Sequence, residues 1–429
     1  MNDKTPPLQT PPAQTPPART AKALLDRSDS RVAHAEGFSG ALGAFLDRVR
    51  SGDLGSLPVV VGLIIIWTVF YALNPIFLSP NNMVNLFFDC SVIGVISLGI
   101  VCVLLLGEID LSVGSMSGVA SAILGVLWVN HGVPVLLAMA ASLALGAAVG
   151  VVYAQLRMRL SMPSFVSTLS GLLALLGLQL YLLGSTGSIN LPYDSSLVSF
   201  GQLWVMPSWL AHGLALIPGV AILAVGLRTI EQRRAANLSP GSLAGLVAKA
   251  AALTAGLQFV VYYLNIGRGV PWMFGLFVLL AIVMQYAFTR TKWGRSIMAV
   301  GGNAEAARRA GINVRRIYTS AFMLCSMFAA LGGMLGAARL ASSSQQAGTG
   351  DVNLNAIAAA VIGGTSLFGG RGSAWSALLG IIVIQSISNG LTLLNLSSSL
   401  RYMITGAVLA IAVIVDSLAR QSRAAHGRA

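Results

Sequence analysis

From residue 57 to residue 419 the chain alternates long apolar runs with short polar connections. A hydrocarbon layer about 30 Å thick is crossed by roughly 20 helical residues. Twelve segments fit that description: 57–77, 91–107, 111–129, 134–156, 163–183, 209–227, 243–264, 270–288, 318–338, 356–370, 374–395 and 399–419. The tenth is short and Gly-rich, which predicts a broken or re-entrant element. Gly and Pro recur through the rest, as in lipid-embedded helices that approach one another closely. The pattern predicts an all-α, polytopic transmembrane bundle of about 12 spans.

Composition agrees. With 55% hydrophobic and 10% charged residues and a mean hydropathy of +0.77, the chain is too apolar for a soluble protein. A net charge of +13 raises nucleic acid as a partner. The basic residues, however, sit in connections between apolar runs rather than along one face, which excludes it. Their distribution instead sets orientation, because short loops rich in Lys and Arg stay in the cytoplasm. Arg157, Arg159, Arg228, Arg233, Arg234 and the cluster from Arg290 to Arg316 fall on one side, and only Arg268, Arg339 and Arg401 on the other. Both termini are therefore expected in the cytoplasm. Cys90, Cys102 and Cys325 lie within or beside apolar runs and form no metal-ligand spacing, so no metal site is expected.

Upstream of the spans, residues 1–36 contain the repeat TPPLQ TPPAQ TPPAR and are expected to form a disordered cytoplasmic tail. Residues 37–52 place Phe38, Leu42, Phe45, Leu46 and Val49 at helical spacing beside arginines, which fits a helix lying on the bilayer surface or a frayed tail. Residues 420–429 form a second cytoplasmic tail.

Two carboxylates interrupt the apolar pattern in GEIDLSVGS, residues 107–115. A charge in hydrocarbon is costly. At a cytoplasmic turn between spans two and three, water reaches Glu108 and Asp110, and Asp110 or Ser112 caps the third helix. The alternative is a break in a bent helix at some depth, where Glu108, Asp110, Ser112 and Ser115 line a polar path for a hydroxylated solute. In span eleven, Gln385 and Asn389 are four residues apart on one helix face; they either hydrogen-bond a solute in transit or tie neighbouring helices together.

The longest hydrophilic connection between spans, 289–317, is cytoplasmic. Within it Asn303 is a natural N-cap, Ala304 to Ala310 favour a helix, and Gly311 suits the left-handed residue that ends one. A two-turn helix is expected. By itself it is an ordinary surface helix or a docking element for a cytoplasmic partner.

EAARRAG, Glu305 to Gly311, resembles the EAA-x3-G core of the cytoplasmic loop in ABC importer permeases. Three further stretches, GEIDLSVGS, PSFVSTLSG at 163–171 and VIGGTSLFGGRGS at 361–373, are similar to the branch of those permeases serving ribose, xylose and related sugars. The likeness is collinear from about residue 57 to 419. It implies a permease domain over 57–419 in the bacterial inner membrane, paired with a second copy of itself. Two cytoplasmic ATP-binding subunits would carry ATP and Mg, and a periplasmic binding protein would deliver the sugar. No cofactor is implied on this chain. Asn303, Glu305, Ala306, Ala307 and Gly311 would then form the coupling helix seated on an ATPase subunit. Members of this branch often have ten spans, so 209–264 looks like an inserted pair, as in the xylose-type members.

The chain has no GxxxxGK[ST] phosphate loop, so energy must come from a separate subunit or an ion gradient. An ion-coupled carrier requires paired ionisable groups deep in the spans, and these are few. An ABC permease for branched-chain amino acids is a further alternative. No HExxH or GxSxG arrangement points to an enzyme.

Overall fold

The computed structural model describes residues 57–239, 242–397, 399–400, 402–407, 410 and 414. The expected tails 1–36 and 420–429, the surface helix 37–52 and part of the twelfth span lie outside the described residues.

Apolar runs become helices in the order read from the sequence: α1 (Leu57–Leu73), α2 (Pro80–Leu104), α3 (Val113–Gly125), α4 (Val135–Arg159) and α5 (Ser164–Leu183). Then follow the short α6 (Ser196–Gln202), α7 (Ser208–Ala235), α8 (Leu243–Ile266), α9 (Trp272–Arg290), α10 (Lys292–Gly302), α11 (Ala304–Arg309), α12 (Val314–Leu340), α13 (Val352–Ile362) and α14 (Ala374–Leu393). Strands β1 (Ser188–Asn190) and β2 (Ser342–Ser344) pair antiparallel, with Ile189 opposite Ser343.

Among the described residues nine helices are long and apolar enough to cross a membrane, with α1 and α13 shorter. The tenth apolar run is thus a helix of only 11 residues, because hydropathy registers apolar residues whether or not they are helical and the chain leaves the helix at Gly363. Conversely, α2 begins at Pro80, well before the expected 91, because its polar first turns are satisfied by neighbours. Asn82 exchanges hydrogen bonds with Asn389 (2.8 and 3.1 Å), Asn85 accepts from Arg268 (2.6 Å) and Asp89 pairs with Arg339 (2.9 Å). Pro80 fits the first turn, where its missing N–H costs nothing.

By internal contacts the chain divides into two units. In the first, the described parts are 215–239 and 242–257, where α7 and α8 pack together, Gly226 facing Leu246. The second holds the remaining described residues and is centred on α12, which packs against α2, α3 and α4. A side chain on Gly150 of α4 would overlap the Phe322 carbonyl, and a Cβ on Gly99 of α2 would lie 2.7 Å from that of Cys325. In lipid, where burial of apolar surface gives helices little reason to associate, such close approach supplies the dispersion contact that holds them.

Candidate functional site

The nine residues of GEIDLSVGS do not make a simple turn. After α2 ends, Gly107 adopts φ +75° and redirects the chain, and Glu108 follows. Its Oε1 accepts from Arg157 Nε at 2.7 Å, in the last turn of α4, and from the Tyr318 hydroxyl at 3.1 Å, in the second turn of α12. Next, Asp110 lies against Cys325, and Ser117, in α3, packs on Gly333. Using α12 as a ruler at about 1.5 Å per residue, the chain climbs roughly 22 Å between Tyr318 and Gly333. Helix α3 therefore starts inside the bundle, and the segment is a break at depth.

This corrects the expectation that water reaches both acids. Asp110 is fully buried and Glu108 only 8% exposed. Ser112 occupies the N-cap position of α3 but its side chain makes no capping bond. Instead, Asp110 Oδ1 accepts from the Ser112 N–H (2.8 Å) and hydroxyl (2.7 Å), closing a tight Asx turn. The exposed backbone of a non-helical stretch has to be paired at this depth. Thr168 of α5 does part of that: its Oγ1 accepts from the Leu111 N–H (3.2 Å) while its own proton goes to the Ser164 carbonyl one turn back (2.9 Å). Thr168 belongs to PSFVSTLSG, so two of the separate stretches meet here.

The third meets them too. Past β2 the chain descends along α3: Ser343 Oγ donates to the Ser121 carbonyl (2.6 Å), and Gln179 of α5 donates to the Ser344 and Ala347 carbonyls (both 2.9 Å). There α13 begins, and the Gly114 N–H donates to Asn353 Oδ1. Two short helices thus start beside one another, and Ser115 and Ser117 in the first turns of α3 are buried. From the other end of α13, in VIGGTSLFGGRGS, Gly370 N–H donates to the Leu105 carbonyl at 2.9 Å. Among the described residues, Asp110 Oδ2, Tyr153 OH, Gln179 Oε1 and Asn355 Oδ1 are buried without a hydrogen-bond partner, which marks this seam as polar beyond its structural needs.

Arg157, Tyr318, Thr168, Gln179 and Asn353 escaped the sequence reading. Each is an isolated polar residue in or beside an apolar run, and no spacing links it to its partner. Asn389 is occupied by its reciprocal bonds to Asn82, tying α14 to α2. Gln385, one turn earlier, is half-buried and makes no hydrogen bond among the described residues.

Helix α11 is capped by Asn303, whose Oδ1 accepts from the Ala306 N–H at 2.9 Å, and the chain reverses at Gly311 with φ +83°. It is one residue shorter than expected, since Ala310 takes the C-cap position. Ala307 is buried and roots the helix in the core, whereas Glu305, Ala306 and Gly311 are exposed. Glu305 pairs with Arg308 (2.5 Å) and Arg309 (3.1 Å) on its own helix. The outward face is small, flanked by charge, and held from beneath. Among the described residues no group of His, Cys, Asp and Glu side chains is arranged to hold a metal ion.

Residues 82–413 match a family model described as branched-chain amino acid transport system / permease component. The chain is 32% identical to the xylose transport system permease protein XylH of Escherichia coli, over 91% of this chain and 96% of that one. To the namesake from Haemophilus influenzae it is 32% identical, over 86% and 98%. To the ribose import permease protein RbsC of Escherichia coli it is 31% identical, over 83% and 92%. No solved structure matches. Helices long and apolar enough to cross a membrane agree with similarity along nearly the whole length: the protein belongs to this family of ABC transporter permeases, as a multi-pass, non-catalytic subunit of the bacterial inner membrane.

Proposed function

We propose that the chain is the translocating subunit of an ATP-driven importer of a monosaccharide, D-xylose or a related pentose. Similarity to a xylose permease over 91% of the chain is the observation that carries this reading. In the proposal two copies pair in the membrane, two ATPase subunits bind in the cytoplasm, and a periplasmic binding protein delivers the sugar. ATP and Mg belong to the ATPase subunits.

Each coupling helix is α11. Ala307 anchors it, Asn303 and Gly311 fix its ends, and Glu305 and Ala306 face the ATPase groove. The solute path runs beside the polar seam of Glu108, Asp110, Ser112 and Ser115. Hydroxyl-rich solutes need acceptors and donors in place of water, and a row of buried polar atoms at the break between α2 and α3 is suited to that. Gln385 is a further candidate on the same path. Alternating access follows when ATP closes the ATPase subunits and both α11 helices move.

The family description favours branched-chain amino acids as a second substrate class. One experiment separates the two: reconstitute the permease with its ATPase subunits and measure hydrolysis with each binding protein loaded with D-xylose, D-ribose or leucine. Stimulation by a pentose supports the sugar reading, and stimulation by leucine alone replaces it. Uptake driven by a proton or sodium gradient in vesicles with no ATPase would sink both.

A further inference from the structure

The loop that carries α11 touches both broken elements main chain to main chain. Gly301 lies in the last turn of α10, two residues before the cap of α11. A Cβ placed on it would overlap the Leu105 carbonyl oxygen and lie 2.7 Å from Gly370 N. The Leu105 carbonyl itself accepts from Gly370 N–H at 2.9 Å. Reciprocally, a Cβ on Gly369 would lie 2.6 Å from the Gly301 carbonyl and 2.8 Å from Gly107 N. Three segments therefore meet main chain to main chain: the end of α10, the start of the climbing segment before α3, and the connection from α13 to α14.

A second link reaches the same climbing segment from the other side of α11. Tyr318 lies in the second turn of α12, directly after the coupling loop, and donates to Glu108. Residues 105–108 are thus held from both flanks of α11. Gly302, the immediate neighbour of Gly301, is different: a Cβ there would meet nothing within 4 Å. Gly301 is not in the left-handed region, so its backbone would accept alanine, and only the contact forbids one.

We infer that Gly301 is a positioning residue of transport, the point at which motion of α11 is passed through backbone contact to both broken elements at once. Main-chain junctions transmit displacement well because no side-chain rotamer can absorb it, and packed interiors shift between discrete arrangements rather than yielding. The inference rests on the proposal that α11 is the coupling helix.

The test compares Gly301→Ala with Gly302→Ala in the reconstituted complex of permease, ATPase subunits and binding protein, counting D-xylose imported per ATP hydrolysed. Both variants should retain the ATPase subunits. Gly301→Ala should lower the sugar carried per ATP by about fivefold or more, while Gly302→Ala matches the wild type. A merely structural defect would reduce import and hydrolysis together and leave that ratio unmoved. An unchanged ratio in Gly301→Ala, or an equal loss in both variants, overturns the inference. Should Gly301→Ala fail to assemble, the ratio is read on Tyr318→Phe, which removes only the second link; no fall there overturns it as well. Wild-type permease that retains no ATPase subunit would instead refute the proposed function, and that result is visible before either variant is made.

Discussion

Arg157 Nε lies 2.7 Å from Glu108 Oε1 and joins the C-terminal end of α4 to the segment leaving α2. The carboxylate is nearly buried while the arginine remains about one-third exposed, with a side-chain exposure of 34%. The pair is therefore asymmetric: Glu108 needs Arg157 more than Arg157 needs Glu108. Arg157→Ala should cost about 2 kcal/mol, because among the described residues it leaves a buried acceptor with only the Tyr318 hydroxyl as donor. Adding Glu108→Gln should recover at least half, since a neutral amide needs no counter-charge. Thermal unfolding of the purified permease in detergent reads both, and a strictly additive double variant would refute the coupling.

Among the described residues Asp110 makes no ion pair, and its buried carboxylate is held through Ser112. Asn keeps Oδ1 and hence both bonds, so Asp110→Asn should unfold within about 1 kcal/mol of wild type, whereas Asp110→Ala should lose about 2 kcal/mol. Transport should respond differently. Replacing the free acceptor Oδ2 by a donor should raise the KM for D-xylose uptake about tenfold if the solute passes this seam. An unaltered KM would take Asp110 off the path.

Asn389 and Asn82 satisfy one another between α14 and α2. Such bonds between membrane helices contribute about 0.6 kcal/mol on average, so Asn389→Ala should lower stability slightly and leave the KM for uptake where it was. A tenfold rise in KM, by about 1.4 kcal/mol of lost binding, would return Asn389 to the solute path.

Asn303 accepts the Ala306 N–H as the cap of a helix only six residues long. Losing a cap costs about 1 kcal/mol, a large share of what holds so short a helix. Asn303→Ala should reduce the ATPase subunits retained on affinity purification, and Asn303→Asp, which keeps an acceptor, should retain them. Equal retention by both would separate the cap from docking.

Some of this was fixed by the order of residues. Apolar runs too long for a soluble core dictated membrane helices, and arginines confined to alternate connections set the expected orientation, because both are additive properties of single residues in water or lipid. The ends of α11 were equally legible, since Asn303 and Gly311 act on their immediate neighbours. Glu108 and Asp110 were visible as an anomaly, but their depth was not: a carboxylate costs little at a surface and much in the interior, and only its surroundings say which applies. Those surroundings come from Tyr318, Arg157 and Thr168, far away in the chain, and from close glycine packing that no local pattern encodes. Three collinear motifs hinted at a family; that they form one place was decided by tertiary packing, because partners of this kind are selected by distance in space and leave no period in the sequence.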